Sequence, residues 1–492
     1  MASGPAPRRP AIDRALARVT RPTDVAALVA FRVAVGLIVT VSATRFLAYG
    51  WVDELFYKPT FFFKYWGLSW VRPLPAPLMH VAFVALAALG LCVAAGLFYR
   101  AAAGLVCALV LWVQLIDVTN YLNHYYLLGL LTGLMALMPL GRAVSLDAWR
   151  RPDTRVSHFP VWCTYLLRVQ VAVVYVHAGL AKATPDWLLH AQPLNIWLSA
   201  RTDTPLVGAL FDERAMAYAM SWGGFFFDTT IALFLAWRRT RVFAYVVVLA
   251  FHATVGRLFP IGMFPWIMIA AVLVFFEPTW PRDVIAKLRA LRARSGVRQV
   301  LRARAPSRVD ASIPPSASFG LAPRLALALA SAFCLLQALA PLRCHLYGGN
   351  VLWHEQGMRW SWRVMAREKN GSITYWVDSP QTGRSWAVSP RPYLTDRQLR
   401  ELNNQPDLVL QLAHHIGEEF RAKGHGDVRV RVDALVSLNG RAAAPMIDPR
   451  VDLLRVRDGL GKASWILPAP SGPPIHLRPL WASGSASRRS SS

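Results

Sequence analysis

Residues 78–99 read LMHVAFVALAALGLCVAAGLFY and contain no Asp, Glu, Lys or Arg. As a helix rising about 1.5 Å per residue, such a run crosses the roughly 30 Å of a bilayer's hydrocarbon core. Gly104–Ile116 and Val242–Phe251 have the same character, and Arg and Lys collect between blocks of this kind. The whole chain, 492 residues, is 54% apolar and only 17% charged. Soluble domains filling that length carry more charge, and the collagen-like, disordered and disulfide-stapled classes fail on the same composition. A polytopic membrane protein is what remains.

Working outward, spans are expected at about 25–47, 79–99, 101–118, 124–140, 160–180, 221–237, 241–258, 262–277 and 320–342, nine in all. The net charge of +26 is spread over short loops and forms no single patch with interleaved aromatics, so no nucleic-acid partner is expected. The basic residues instead report topology. Arg8, Arg9, Arg14, Arg18 and Arg21, then Arg142, Arg150, Arg151 and Arg155, then Arg238, Arg239 and Arg241, and the segment Arg282–Arg308 all fall on one side of a nine-span chain. That side, with the N-terminus, should be cytoplasmic. The aromatic loop Trp51–Pro77, the stretch Ala181–Met220 and everything after Leu342 are then extracytoplasmic. The first apolar run contains Arg32 and no small-residue cleavage site, so it reads as an uncleaved span.

The expected organisation is a basic cytoplasmic tail (1–24), a multi-span membrane domain (25–342) with a basic cytoplasmic loop at about 278–319, an extracytoplasmic soluble domain (343–470) and a disordered, serine-rich tail (471–492). In the soluble part, alternation in Gly371–Val377 and Arg384–Val388 around a turn predicts a β-hairpin. Val428–Leu438 predicts a longer strand ending in Asn439-Gly440. Thr395–Phe420 is helical, with Thr395 a cap and Pro406 dividing two helices. The fold class is thus a polytopic α-helical membrane domain followed by a mixed α+β soluble domain.

Five cysteines, Cys92, Cys107, Cys163, Cys334 and Cys344, show no metal or disulfide spacing, and no metal is expected. Adjacent His414 and His415 point about 100° apart on a helix and are a poor ligand pair. Chemistry is sought where polar groups meet span ends, because they are costly there unless paired, hydrated or functional. Three clusters qualify: Asp117–Tyr126 with Asn123, His124 and Tyr126; Tyr175–Trp187 with Lys182; and His252 with the turn Gly262–Pro265. The first also reads as an interfacial turn in an aromatic belt. Lys182 either snorkels to the headgroups or, aimed into a dry pocket, becomes a general base. His252 alone reads as a hydrogen-bonded packing residue. All three clusters fall on the face that carries the soluble domain, where a pocket can form.

These residues resemble the vitamin K-dependent γ-glutamyl carboxylase family and its bacterial homologues, which share the HTTM membrane domain. The resemblance rests on Trp51–Phe56, Asn120–Tyr126, Val174–Trp187, Phe251-His252 and Leu258–Trp266. It continues through Trp353, Trp360-Ser361-Trp362, Val436–Arg441 and Ile447–Asp452, covering roughly 25–468. It implies an enzyme that oxygenates reduced vitamin K (the hydroquinone) to the epoxide, and thereby removes the γ-proton of a peptidyl glutamate so that carbon dioxide attaches. O2 and CO2 are co-substrates, and a glutamate-containing protein or peptide, the quinone and membrane lipid are the implied partners. Lys182 matches the family's catalytic lysine and His124 its pocket histidine. Asn123, Tyr126 and His252 are placed at the quinone, and Ser361 and Trp362 near the glutamyl substrate.

Three departures bear on that reading. Ala181 precedes Lys182 where the animal enzyme has a second lysine, which leaves the base in place. Met358 stands where Tyr or His is expected in the glutamate-binding segment, and the soluble domain is shorter than the animal one. Two other readings therefore stay open: a quinol epoxidase or oxidase uncoupled from carboxylation, and a non-catalytic lipid- or protein-binding membrane scaffold. The Arg- and Ala-rich usage points to a bacterial cytoplasmic membrane, and an endoplasmic-reticulum membrane fits the same topology.

Overall fold

The computed structural model describes residues 11–294 and 323–475. The start of the basic tail with Arg8 and Arg9, the part of the basic loop over 295–322 and the serine-rich tail from 476 onward lie outside the described residues.

Helices occupy all nine expected positions: α1 (Ala26–Ala48), α2 (Leu78–Ala95), α3 (Tyr99–Ile116), α4 (Asn123–Leu137), α5 (Trp162–Lys182), α6 (Arg214–Ala236), α7 (Arg241–Leu258), α8 (Phe264–Ala271) and α9 (Pro323–Leu339). Among the described residues, seven helices are long and apolar enough to cross a membrane, so the count of nine is approximate. The two short passes end in different ways. α4 stops after 15 residues because Met138 precedes Pro139, a position that disfavours helix. α8 runs into a 3-10 turn, Val272–Phe275, beyond which the chain bends by 96° into Trp280–Leu291. Counting that bent pair as one span gives eight.

Hydrogen bonds sort the loops into two ends of the bundle. At the first, Pro22–Asp24 pairs with His158–Pro160, and Ala27 N donates to Pro278 O at 2.9 Å. There the buried Arg32 guanidinium donates to the carbonyls of Leu140 (2.7 Å), Ala143 (3.0 Å), Val144 (2.7 Å) and Ala94 (3.3 Å). One cation thus ties the end of α2, whose last carbonyls have no partner within their own helix, to the turn that follows α4. Gly36 lets α1 lie against α2, since a Cβ there would stand 2.5 Å from Ala94 N.

The soluble domain sits on the second end. Its antiparallel sheet has β1 (Lys369–Asp378), β2 (Ser385–Val388), β3 (Arg429–Leu438) and β4 (Ala444–Pro445) in the order β2-β1-β3-β4. The expected hairpin is β1–β2 and the expected long strand is β3, whose closing turn puts Asn439 and Gly440 at φ 50° and 82°. Thr395 and Gln398 form a reciprocal capping box on α10 (Asp396–Leu402), and Pro406 opens α11 (Pro406–Ala422). Val430, Val432, Ala434 and Val436 alternate inward to a core shared with α11, and Tyr375 Oη donates to Val409 O at 3.1 Å.

That core also takes in Phe63 and Val118 from loops of the membrane domain. Gln411 exchanges two hydrogen bonds with the Lys64 backbone (2.8 and 2.9 Å), and Gln398 Nε2 donates to Asp117 Oδ2 at 2.9 Å. Nearby, the buried Lys369 ammonium donates to Trp353 O (2.8 Å) and Glu355 Oε1 (3.0 Å). Burial pulls it down to about 8, against the opposing pull of Glu355. The two domains are therefore joined by packing and by paired polar groups.

Candidate active site

A cavity opens at the junction, walled by α5, α6, α7 and α8 and covered by Val364 and Met365 from the soluble domain. Its surface is mostly aromatic and aliphatic, with Trp187, Phe251, Phe259, Phe264 and Met268 among the lining side chains. Two polar stations interrupt it: Lys182 with Asp228, and His252 with Tyr175.

The first station follows from one close helix contact. A Cβ on Gly179 would lie 2.5 Å from Thr229 Cγ2 and 2.8 Å from Thr229 N, so only glycine lets α5 reach α6 here. Lys182 comes one turn after Gly179 as the last residue of α5, and Asp228 directly precedes Thr229. Their side chains meet at 2.7 Å, Nζ to Oδ2, with each residue only 6% exposed. Lys182 Nζ also donates to Ala178 O at 3.2 Å and stands 5.3 Å from the centre of the Trp187 ring. Gly179→Val is expected to part the helices and with them the ion pair, costing about 1–3 kcal/mol by overpacking. Thermal unfolding of the purified protein checks this, and an unchanged melting temperature would count against the contact.

At the second station Tyr175 Oη and His252 Nε2 share a hydrogen bond of 3.0 Å. The other ring nitrogen, His252 Nδ1, is buried with no hydrogen-bond partner among the described residues. The packing expectation for His252 therefore covers half of the ring and leaves one polar atom unsatisfied.

The remaining expected site residues fall beside the cavity. His124, on the first turn of α4, is buried with its ring centre 6.2 Å from that of Phe264, whose own ring centre is 5.7 Å from that of His252. Asn123 Oδ1 accepts from Tyr121 Oη (2.9 Å), and Tyr121 Oη accepts from Trp360 N (2.9 Å). Tyr126 stacks on Trp362 with ring centres 4.9 Å apart, and Tyr65 stacks on Trp360 at 5.2 Å. Ser361 is buried and bonds Gly357 O at 2.5 Å. These residues hold a strap, residues 360–365, in which Trp360, Trp362 and Met365 all adopt positive φ (58°, 56° and 50°). Such backbone is strained for non-glycine residues and persists only where its surroundings fix it. The strap delivers Val364 and Met365 to the cavity.

Asp186 and Trp187 follow Lys182 in sequence and have separate tasks. Trp187 Nε1 donates to Ser221 O at 2.8 Å, which ties the segment to α6. The Asp186 carboxylate accepts from Asn439 Nδ2 (2.8 Å) and from Arg441 Nη1 (2.8 Å) and Nη2 (2.5 Å), binding the β3 turn to the membrane domain. His414 Nε2 bonds the carbonyls of Leu453 and Val456, each at 2.9 Å. Among the described residues no group of three His, Cys, Asp or Glu is placed to hold a metal ion.

Sequence reasoning passed over Asp228. The signal was present, because Asp228 is the only Asp or Glu between Glu213 and Glu277 and lies inside an apolar span, where an acid is costly without a partner or a task.

Comparison with known families gives two adjoining matches. Residues 20–280 match the HTTM domain, and residues 322–472 match the lumenal domain of vitamin K-dependent gamma-carboxylase. No solved structure matches the chain.

Proposed function

The chain belongs to the vitamin K-dependent gamma-carboxylase family, and we propose that it is an integral-membrane enzyme coupling oxygenation of a reduced quinone to carboxylation of peptidyl glutamate. The observation that carries this is the buried Lys182–Asp228 pair opening on an apolar, aromatic-walled cavity beneath the soluble domain.

The residues present fit a hydroquinone. A flat aromatic ring with two hydroxyls needs an apolar slot and polar groups at its edge. The slot is there, and the unsatisfied His252 Nδ1 supports a ligand group at the second station. When bound, the hydroquinone with oxygen supplies the oxidation whose free energy drives proton removal from glutamate, the epoxide being its co-product.

The chain's own part is to take and hold protons in a dry place. At 2.7 Å a proton can pass from Lys182 Nζ to Asp228 Oδ2 without movement of either side chain. Lys182 then presents a neutral amine to the cavity and accepts a hydroxyl proton while Asp228 keeps its own. His252, oriented by Tyr175, and Phe264 beside His124 fix the ring. Val364 and Met365 exclude water, which a developing carbanion requires. The basic loops at the end opposite the soluble domain support a cytoplasmic N-terminus and an extracytoplasmic soluble domain.

A second reading, quinol epoxidation without carboxylation, is favoured by one observation. Ser361 and Trp362, expected at the glutamyl substrate, are 3% and 1% exposed and spent on the strap. Purified protein given vitamin K hydroquinone, oxygen, labelled carbonate and a glutamyl peptide separates the readings. Epoxide with label in the peptide is the expected result, epoxide alone selects the second reading, and neither product from folded protein selects the scaffold.

A further inference from the structure

At the end of the soluble sheet away from the bundle lies an open cleft of about 430 Å³ that has no part in the membrane cavity. Arg384, Arg429, Arg431, Arg450 and Arg455 line it, against the carboxylates of Asp378 and Asp452. Three guanidiniums are engaged: Arg431 on Asp378 (2.7 Å), Arg450 on Asp448 (3.1 Å) and Arg455 on Asp452 (3.4 Å). The guanidiniums of Arg384 and Arg429 make no hydrogen bond or ion pair among the described residues.

The position is set by register. β1 and β3 pair from Lys369 opposite Leu438, at the junction with the bundle, to Asp378 opposite Arg429, at the cleft. Ten residues at about 3.3 Å each separate the two ends by roughly 30 Å. Lipid headgroups are a poor match for a cleft at the far end of the strand. Single-stranded nucleic acid is a poor match for a wall without one aromatic side chain. Carboxylates suit it, because a guanidinium grips a carboxylate through two parallel hydrogen bonds and the wall carries five cations against two anions.

We infer that this cleft docks a carboxylate-rich segment of a polypeptide, held about 30 Å along the sheet from the cavity. Its use in catalysis rests on the proposed function, and its binding does not. A substrate seated there needs only some nine extended residues to present a glutamate at the junction.

The test is fluorescence anisotropy on the full chain in detergent, with a labelled peptide of about 20 residues carrying a Glu/Asp cluster and its Gln/Asn counterpart. Binding of the acidic peptide alone is expected, weakening about tenfold between 50 and 200 mM salt. Arg384→Ala/Arg429→Ala should weaken it at least tenfold and Arg429→Glu further. The melting temperature should not move, because both side chains are exposed and unpaired. Equal binding of the two peptides, unchanged binding by the variants, or preference for anionic phosphatidylglycerol vesicles or an oligonucleotide overturns the inference. Where carboxylation is observed, the double variant should raise KM for the acidic peptide at unchanged kcat. Where none is observed in wild type, the binding result stands and the failure belongs to the functional reading.

Discussion

Lys182→Met is expected to lower hydroquinone-dependent epoxide formation by about 10²–10⁴-fold, the usual contribution of a positioned base. It also strands the Asp228 carboxylate in a buried site, where loss of one partner costs about 3–5 kcal/mol, so lost activity alone would be ambiguous. Lys182→Met/Asp228→Leu removes both charges and should recover most of the stability, because replacing a buried ion pair by apolar groups is often neutral or better. Activity should stay absent. Rates and thermal unfolding measured together decide the matter: a double variant that turns over near the wild-type rate would remove Lys182 from the mechanism. Asp228→Asn keeps the shape and cannot hold the second proton, so it should be folded and slow.

The second large effect is expected at the Asp186 carboxylate, which never touches the cavity. Asp186→Ala leaves Arg441, whose side chain is only 13% exposed, without its bidentate partner, and frees the Asn439 turn from the membrane domain. A loss of about 3–5 kcal/mol in the docking of the soluble domain follows. Limited proteolysis should then cut the junction faster, and activity should fall because Val364 and Met365 reach the cavity only while that domain is seated. Asp186→Ala/Arg441→Leu should restore much of the protease resistance. Unaltered proteolysis in the single variant would show that the remaining contacts, among them those of Gln398, Gln411 and Trp360, suffice.

Much of this architecture was legible because its causes are local. Uncharged runs of span length, the Thr395 cap, Pro406 at a helix start and the Asn439-Gly440 turn each act within a few residues, and each lies where the sequence placed it. Span count was harder, since Phe264–Phe275 is apolar enough to suggest a full pass and its 96° bend depends on what the chain meets next. For the site, the residues Lys182 and His252 were visible and their surroundings were not. Asp228 joins Lys182 across a gap that only Gly179 and Thr229 determine. The role of Arg32 was not legible, because the four carbonyls it satisfies lie at Ala94 and in the turn 140–144, far from it in the chain. Asn123, Tyr126, Ser361 and Trp362, expected at the ligands, also form the seam that carries the strap, which the sequence did not indicate.

Residues 360–365 face two ways, toward the cavity through Val364 and Met365 and against the soluble-domain core through Trp360. Whatever shifts them on one side alters what the other side can hold, and thermodynamic linkage makes the effect mutual: a peptide that tightens quinone binding by some factor is itself bound more tightly by that factor. On the proposed function, a strap built from three strained residues therefore lets the membrane-borne and the water-borne reactant sense each other's arrival before they meet in the cavity.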